Sequence, residues 1–249
     1  MYSYILDTFL SGKKYDKELR AIETRLVDLG IGGRMHKLTK FKNPKDIVAE
    51  EIKKGTKTLV LLGNDNTLGS FLDMIVEEGL TMGIIPFGEE NKLAKLLGIP
   101  LGVEACDTLG SRIIEKLDIG RMNMHYFLSS IVIPRGGVTL IFDGKYKVAA
   151  ADDREVVISN IEHKRVANPR DGMLEAVIRS RKMFNFFGDV KNAFNRPAGD
   201  SRFFVKKAII AAEKPFPAFA DGRKLWQDLA QIEVASKKLK VIVGRDREI

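Results

Sequence analysis

The apolar residues of this chain keep two rhythms, and the change between them divides it. In the first half, short apolar runs alternate with segments of helical period. Tyr4-Ile5-Leu6 reads as a strand. Residues 17–29 place Leu19, Ile22, Leu26 and Val27 at helical spacing, and Gly30 stops them. A second helix is expected over 46–53, ended by Gly55. Residues 58–62 (TLVLL) are a continuous apolar run of strand length, as expected for a strand buried on both faces. A loop at 63–66 precedes a helix over 68–76. A buried strand over 82–85 and a helix over 91–97, ended by Gly98, complete the series. Such alternation predicts a parallel sheet with helices packed on it.

From about Tyr126 no long helical period remains. Strands are expected over 126–133, 138–142, 146–150, 156–161, 174–178, 203–211 and 240–243. Asp143-Gly144-Lys145 joins two of them as a hairpin, because Asp-Gly tolerates the positive φ of tight turns. The polar stretch 185–202 reads as a loop. Many short strands with turns between them predict an antiparallel sandwich. The fold class expected is therefore α/β: an α/β domain over 1–120, then a β-sandwich over 121–249 whose last strand or tail is free to return to the first domain.

Composition narrows this little. Of 249 residues, 45% are hydrophobic and 30% charged, which is ordinary for a folded domain. No 18-residue apolar run suggests a spanning helix, and the start lacks a basic leader. The single cysteine, Cys106, fits a reducing compartment and a small buried side chain, so a cytoplasmic protein is expected. His36, His125 and His163 are scattered and make no zinc motif. The formal charge of +8 favours anionic partners such as nucleotides or anionic membrane surfaces. Basic and acidic residues interleave along most of the chain, so no nucleic-acid partner is expected. A homodimer stays open.

Two loops carry candidate chemistry. The first, Gly63-Asn64-Asp65-Asn66-Thr67, joins a buried strand to a helix start, where backbone N–H groups and the helix dipole attract anions. A carboxylate repels phosphate unless a metal or a hydroxyl intervenes, so Asp65 suits a proton acceptor or a magnesium–water contact. Asn64, Asp65 and Thr67 also suit plain turn and N-cap roles. The second loop, Phe87-Gly88-Glu89-Glu90-Asn91, repeats the plan, with Asn91 able to cap the next helix or bond a ligand. Both follow strand C-termini, where open α/β sheets bind ligands.

These motifs, in order along nearly the whole chain, resemble the catalytic domain of diacylglycerol kinases, a lipid-kinase family related to sphingosine kinases and NAD kinases. Asp65 and Thr67 match that family's GGDGT loop. Pro86, Gly88, Asn91, Ala94, Leu97, Gly98, Ile99 and Pro100 match its P-L-G-T-x-N-D-x-A-R-x-L-G-I-P segment. Asp118 with Gly120 and Asn123, Asp171-Gly172, and Asp221-Gly222 resemble three later motifs. The resemblance implies an α/β nucleotide-binding domain followed by a sandwich. It also implies ATP and Mg²⁺ as cofactors, and a lipid hydroxyl at an anionic membrane surface as acceptor. Asp65 would be the base or a metal-network carboxylate, and Gly63, Asn64, Asn66 and Thr67 would cradle phosphate. Gly88, Glu89 and Asn91 would line the nucleotide, with Asn91 on the nucleoside. Asp118 would join the magnesium–water network, and Asp171 would hold a structural cation. The sequence departs from the family at Asn64 and Asn66, each a glycine there, at Glu89 and Lys92, and at Arg223, which stands where the family has a glutamate near the reacting hydroxyl. Those departures make a weakened or non-catalytic nucleotide- or lipid-binding member, or a kinase for a soluble hydroxyl compound, the alternatives.

Overall fold

The computed structural model describes residues 1–39, 43–134, 137–161, 167–179 and 200–249. They separate into two compact units: Met1–Ile119 with Ala235–Ile249, and the described residues between 120 and 234.

The first unit is a six-stranded sheet. Its strands are β1 (Tyr2–Leu6), β2 (Arg34–Lys37), β3 (Thr58–Gly63), β4 (Thr81–Pro86), β5 (Ile114–Leu117) and, from the end of the chain, β16 (Leu239–Ile242). The order is β2-β1-β3-β4-β16-β5, parallel throughout except that β5 runs antiparallel to β16. Every residue of β1, β3 and β4 is buried, as the continuous apolar runs require. Helices α1 (Asp16–Asp28), α2 (Pro44–Lys53), α3 (Asp65–Glu77), α4 (Lys92–Leu96) and α5 (Ala105–Ser111) connect the strands. Helix α2 starts earlier than its apolar period suggests, because the Asn43 side chain accepts the Lys45 amide and Pro44 fills the first turn. The short β2, β5 and α5 escaped the periodicity reading. Cys106 is a buried free thiol, pushed up to about 11 chiefly by burial.

The second unit is antiparallel. Its strands are β6 (Gly120–Met122), β7 (His125–Phe127), β8 (Ser130–Ile133), β9 (Val138–Phe142), β10 (Tyr146–Ala150), β11 (Glu155–Ser159), β12 (Leu174–Arg179), β13 (Ser201–Val205), β14 (Lys207–Ala220) and β15 (Arg223–Val234). They run β13-β12-β11-β8-β14-β15-β6-β7, and β9 pairs with both β10 and β14. One core, including Phe127, Leu140, Phe142, Ile158, Leu174 and Ile232, fills the inner face.

Two expectations change here. The strand expected over 126–133 is two strands, because the buried Asp221 carboxylate accepts the amides of Leu128, Ser129 and Ser130 at 2.6, 2.8 and 3.0 Å and takes them out of the ladder. The run expected over 203–211 is likewise two strands, the second continuing to Ala220 and turning through Asp221-Gly222 (φ 45° and 82°) into β15. The loop expected over 185–202 lies mostly outside the described residues.

Glu51, fully buried on α2, anchors the β2 edge of the first sheet. Arg34 Nε donates to it at 2.8 and 3.0 Å, Lys54 Nζ at 3.1 Å, and His36 Nε2 lies 3.2 Å away. Burial alone would raise its carboxyl, but the Arg34 and Lys54 bonds outweigh burial and hold it down to about 2. A depressed carboxylate stabilises the fold above its unfolded value and loses that contribution as pH falls toward 2. Glu51→Gln is therefore expected to cost roughly 1–2 kcal/mol at neutral pH, since Arg34 and Lys54 can rehydrate. The variant should also flatten the acid limb of the melting curve between about pH 4.5 and 2. Thermal melts across that range check both effects.

Candidate nucleotide site

The two loops picked out by sequence meet at the C-terminal end of the parallel sheet, and Asp65 is where they join. Its Oδ2 accepts the Lys92 amide at 2.8 Å and its Oδ1 the Leu93 amide at 3.2 Å. Asp65 thus caps α4 from another helix. Asn91, at the N-cap position, does not cap; its Nδ2 donates back to the carbonyls of Gly88 (2.9 Å) and Phe87 (3.3 Å). In return the Asp65 amide donates to the Glu90 carbonyl at 3.0 Å, and Asn66 Nδ2 donates to Glu90 Oε2 at 3.2 Å. Glu90 accepts both from a left-handed backbone (φ 62°), a cost that the bonds across the loops offset. Burial lifts the Asp65 carboxyl above its ordinary range in spite of the two amide bonds.

The first loop is self-capped. Asn64 Oδ1 accepts the amides of Asn66 (3.2 Å) and Thr67 (3.4 Å), the Asn64 amide donates to Thr67 Oγ1 (3.1 Å), and the Asn64 carbonyl accepts the Leu68 amide (3.1 Å). With Asp65 bonded to Glu90, each of the first four amides of α3 has a partner. Asn64 and Thr67 thus form a reciprocal capping box. Thr67 Oγ1 also donates to Asp7 Oδ2 at 2.5 Å. That packing fixes Gly63: a Cβ there would lie 2.2 Å from Thr67 Oγ1. Asp7 sits just after β1. Glu90 lay within the second candidate loop, but its link to the first loop rests on a backbone angle that the sequence does not show.

The other expected residues lie elsewhere. Asp118 follows β5, whose end is level with the start of β4, so it stands at the opposite end of the sheet from Asp65. Helix α3 alone, 13 residues, spans roughly 20 Å between those ends. Asp118 is 3% exposed and pairs with Lys238 Nζ at 2.8 Å. Sheet direction, invisible in the motif, separates Asp118 from Asp65. Gly88 and Glu89 are exposed at the tip of the second loop, Gly88 (φ 71°) against the Phe9 ring. In the second unit Asp171 closes a turn, its Oδ1 accepting the Met173 amide at 2.9 Å. Arg223 is partly buried, and its Nη2 donates to the Tyr126 carbonyl at 3.0 Å. Among the described residues no group of three or more His, Cys, Asp or Glu is placed to hold a metal. Each Asp65 oxygen accepts one amide and keeps a further lone pair for a proton or a water.

A parallel sheet with paired strand-to-helix loops at its carboxyl edge defines a nucleotide-binding class of α/β unit. Residues 5–122 match the diacylglycerol kinase catalytic domain family. Two curated relatives, the diacylglycerol kinases of Bacillus subtilis strain 168 and Staphylococcus saprophyticus, are 25% and 26% identical over 48% of this chain. The match spans only about two fifths of their length (41% and 40%). A solved diacylglycerol kinase of Bacillus anthracis strain Sterne has the same fold, with TM-score 0.77 at 18% identity over 99% of this chain and 97% of that one. The family resemblance and the two-part fold read from the sequence both stand.

If Asn64 fills the cradle, removing its side chain should open it. Asn64→Gly is expected to strengthen ATP binding severalfold while costing the helix only a few tenths of a kcal/mol, since glycine is itself a fair N-cap. Calorimetric titration and thermal melts read the two effects separately.

Proposed function

We propose that this chain is a diacylglycerol kinase-like phosphotransferase that moves the γ-phosphate of ATP to a lipid hydroxyl at a membrane surface. The observation that carries the reading is Asp65. It is the acid shared with the family's phosphate loop, it joins both loops at the sheet's carboxyl edge, and its carboxyl is raised by burial. A raised carboxylate is a better proton acceptor. The hydroxyl oxygen would bond to the γ-phosphorus as the bond to the β–γ bridging oxygen breaks. The hydroxyl proton would pass to an Asp65 oxygen, and ADP would leave. The amides of residues 92 and 93 keep that oxygen aimed. Magnesium enters this reading as an ion carried on the nucleotide phosphates.

A second reading, a nucleotide- or lipid-binding member that does not turn over, is favoured by the saturated amides around Asn64.

One pair of variants separates the readings. Asp65→Asn removes the charge and keeps one of the two acceptor oxygens, so it should cost about 0.5 kcal/mol of stability and leave ATP binding near wild type. It should cut phosphorylation of a diacylglycerol by roughly 10²–10⁴-fold, the usual worth of a general base. Asp65→Ala should lose activity and also about 1 kcal/mol of stability. Turnover in Asp65→Asn close to wild type would overturn the base assignment. ATP binding by the wild type with no turnover on any lipid would establish the second reading.

A further inference from the structure

The outward face of β14 and β15 is apolar where a solvated sheet should be polar. Cross-strand partners share a face, so the pairs Pro217↔Trp226, Phe219↔Lys224, Ala211↔Leu229 and Ile209↔Ile141 put these side chains together opposite the core. Trp226 and Leu229 stay on one side because the ladder shifts register between them. Both are exposed, by 63% and 44%, although the core face of the same strands is closed.

The edge of this face is basic. Lys224 Nζ lies 4.9 Å from the Trp226 ring centroid. Lys147, paired with Ile141, and Lys207, paired with Glu233, point the same way and are exposed. The nearby acids are Asp228 in the bulge, Glu213, and Glu233, which is neutralised by Arg121 and Lys207. A tryptophan with a stacked lysine, beside leucine and proline and with Lys147 at the edge, is the chemistry of a membrane interface. There the ring sits at the headgroups and the ammonium groups meet lipid phosphates.

We propose that the outer face of β14–β15, centred on Trp226 and Leu229, docks on an anionic lipid bilayer. The proposal rests on the lipid-acceptor reading above and names the surface that would bring such an enzyme to its substrate.

Trp226 is the one tryptophan of the chain, so its fluorescence reports on this face alone. Phosphatidylcholine–phosphatidylglycerol vesicles should shift its emission to the blue, and lipids brominated near the headgroup should quench it. In cosedimentation, Trp226→Ala with Leu229→Ala should lower the vesicle-bound fraction about tenfold, from the apolar area removed. Lys147→Glu with Lys224→Glu should abolish the preference for anionic over neutral vesicles. Both pairs lie on an outward face, and unchanged melting temperatures would show that they fold. No emission shift on either vesicle, or undiminished binding by the Trp226–Leu229 variant, overturns the proposal. So does a blue shift on concentrating the protein without lipid, which would mean that a second copy covers the face. A water-soluble short-chain diacylglycerol separates this from the kinase reading: the Trp226–Leu229 variant should phosphorylate it as well as wild type does, yet fail on vesicle-borne substrate. If wild type phosphorylates neither, the kinase reading falls, while the vesicle data still decide the docking face.

Discussion

The carboxylate of Asp65 is the constraint on which the candidate site depends. Helix α4 is five residues long, too short to hold itself in water, and its first amides have no cap of their own. Asp65 supplies that cap from the start of α3, and Glu90 answers by accepting the Asp65 amide. The two loops are therefore one object. A change at Asp65 alters the position of 88–92, and a change at Glu90 alters the start of α3. This carboxylate carries both a charge and two hydrogen bonds, which is why removing its charge and removing its hydrogen bonds are different experiments.

The same economy limits the loop. A family glycine at 64 would leave the amides of 66 and 67 to a phosphate, whereas Asn64 spends them internally. A phosphate bound at this loop would compete with Asn64 for the same donors, and the asparagine would have to rotate away to admit it. Each displaced neutral bond is worth only about 0.5–1.5 kcal/mol, and charge-assisted bonds to phosphate are stronger. Such a competition would weaken phosphate binding without forbidding it. Thr67 is set by the same network, since its hydroxyl holds the Asp7 carboxylate and its bulk requires glycine at 63.

Much of the fold was legible because burial writes itself into sequence. TLVLL and the run ending at Pro86 are strands buried on both faces, and no helix would leave such runs unbroken by polar positions. Strands β2 and β5 were not legible: they are short edge strands with mixed exposure. The break between β7 and β8 was hidden because its cause, Asp221, lies some 90 residues downstream. At the site, spacing and glycine pattern located both loops, but no pattern in one dimension shows which carboxylate caps which helix. Asp118 illustrates the limit most sharply. Its motif places it next to the second unit, and only the antiparallel turn of β5 against β16 puts it at the far end of the sheet.

The central claim, that the joined loops at 63–68 and 88–93 form the nucleotide site, is tested most directly by titrating ¹⁵N-labelled protein with Mg-ATP and following backbone amide resonances. The account predicts that the largest shifts fall on residues 64–68 and 90–93, with the Asn66 and Thr67 amides leading as Asn64 gives up their bonds. Saturable shifts confined to other residues, with these amides unmoved, would contradict it.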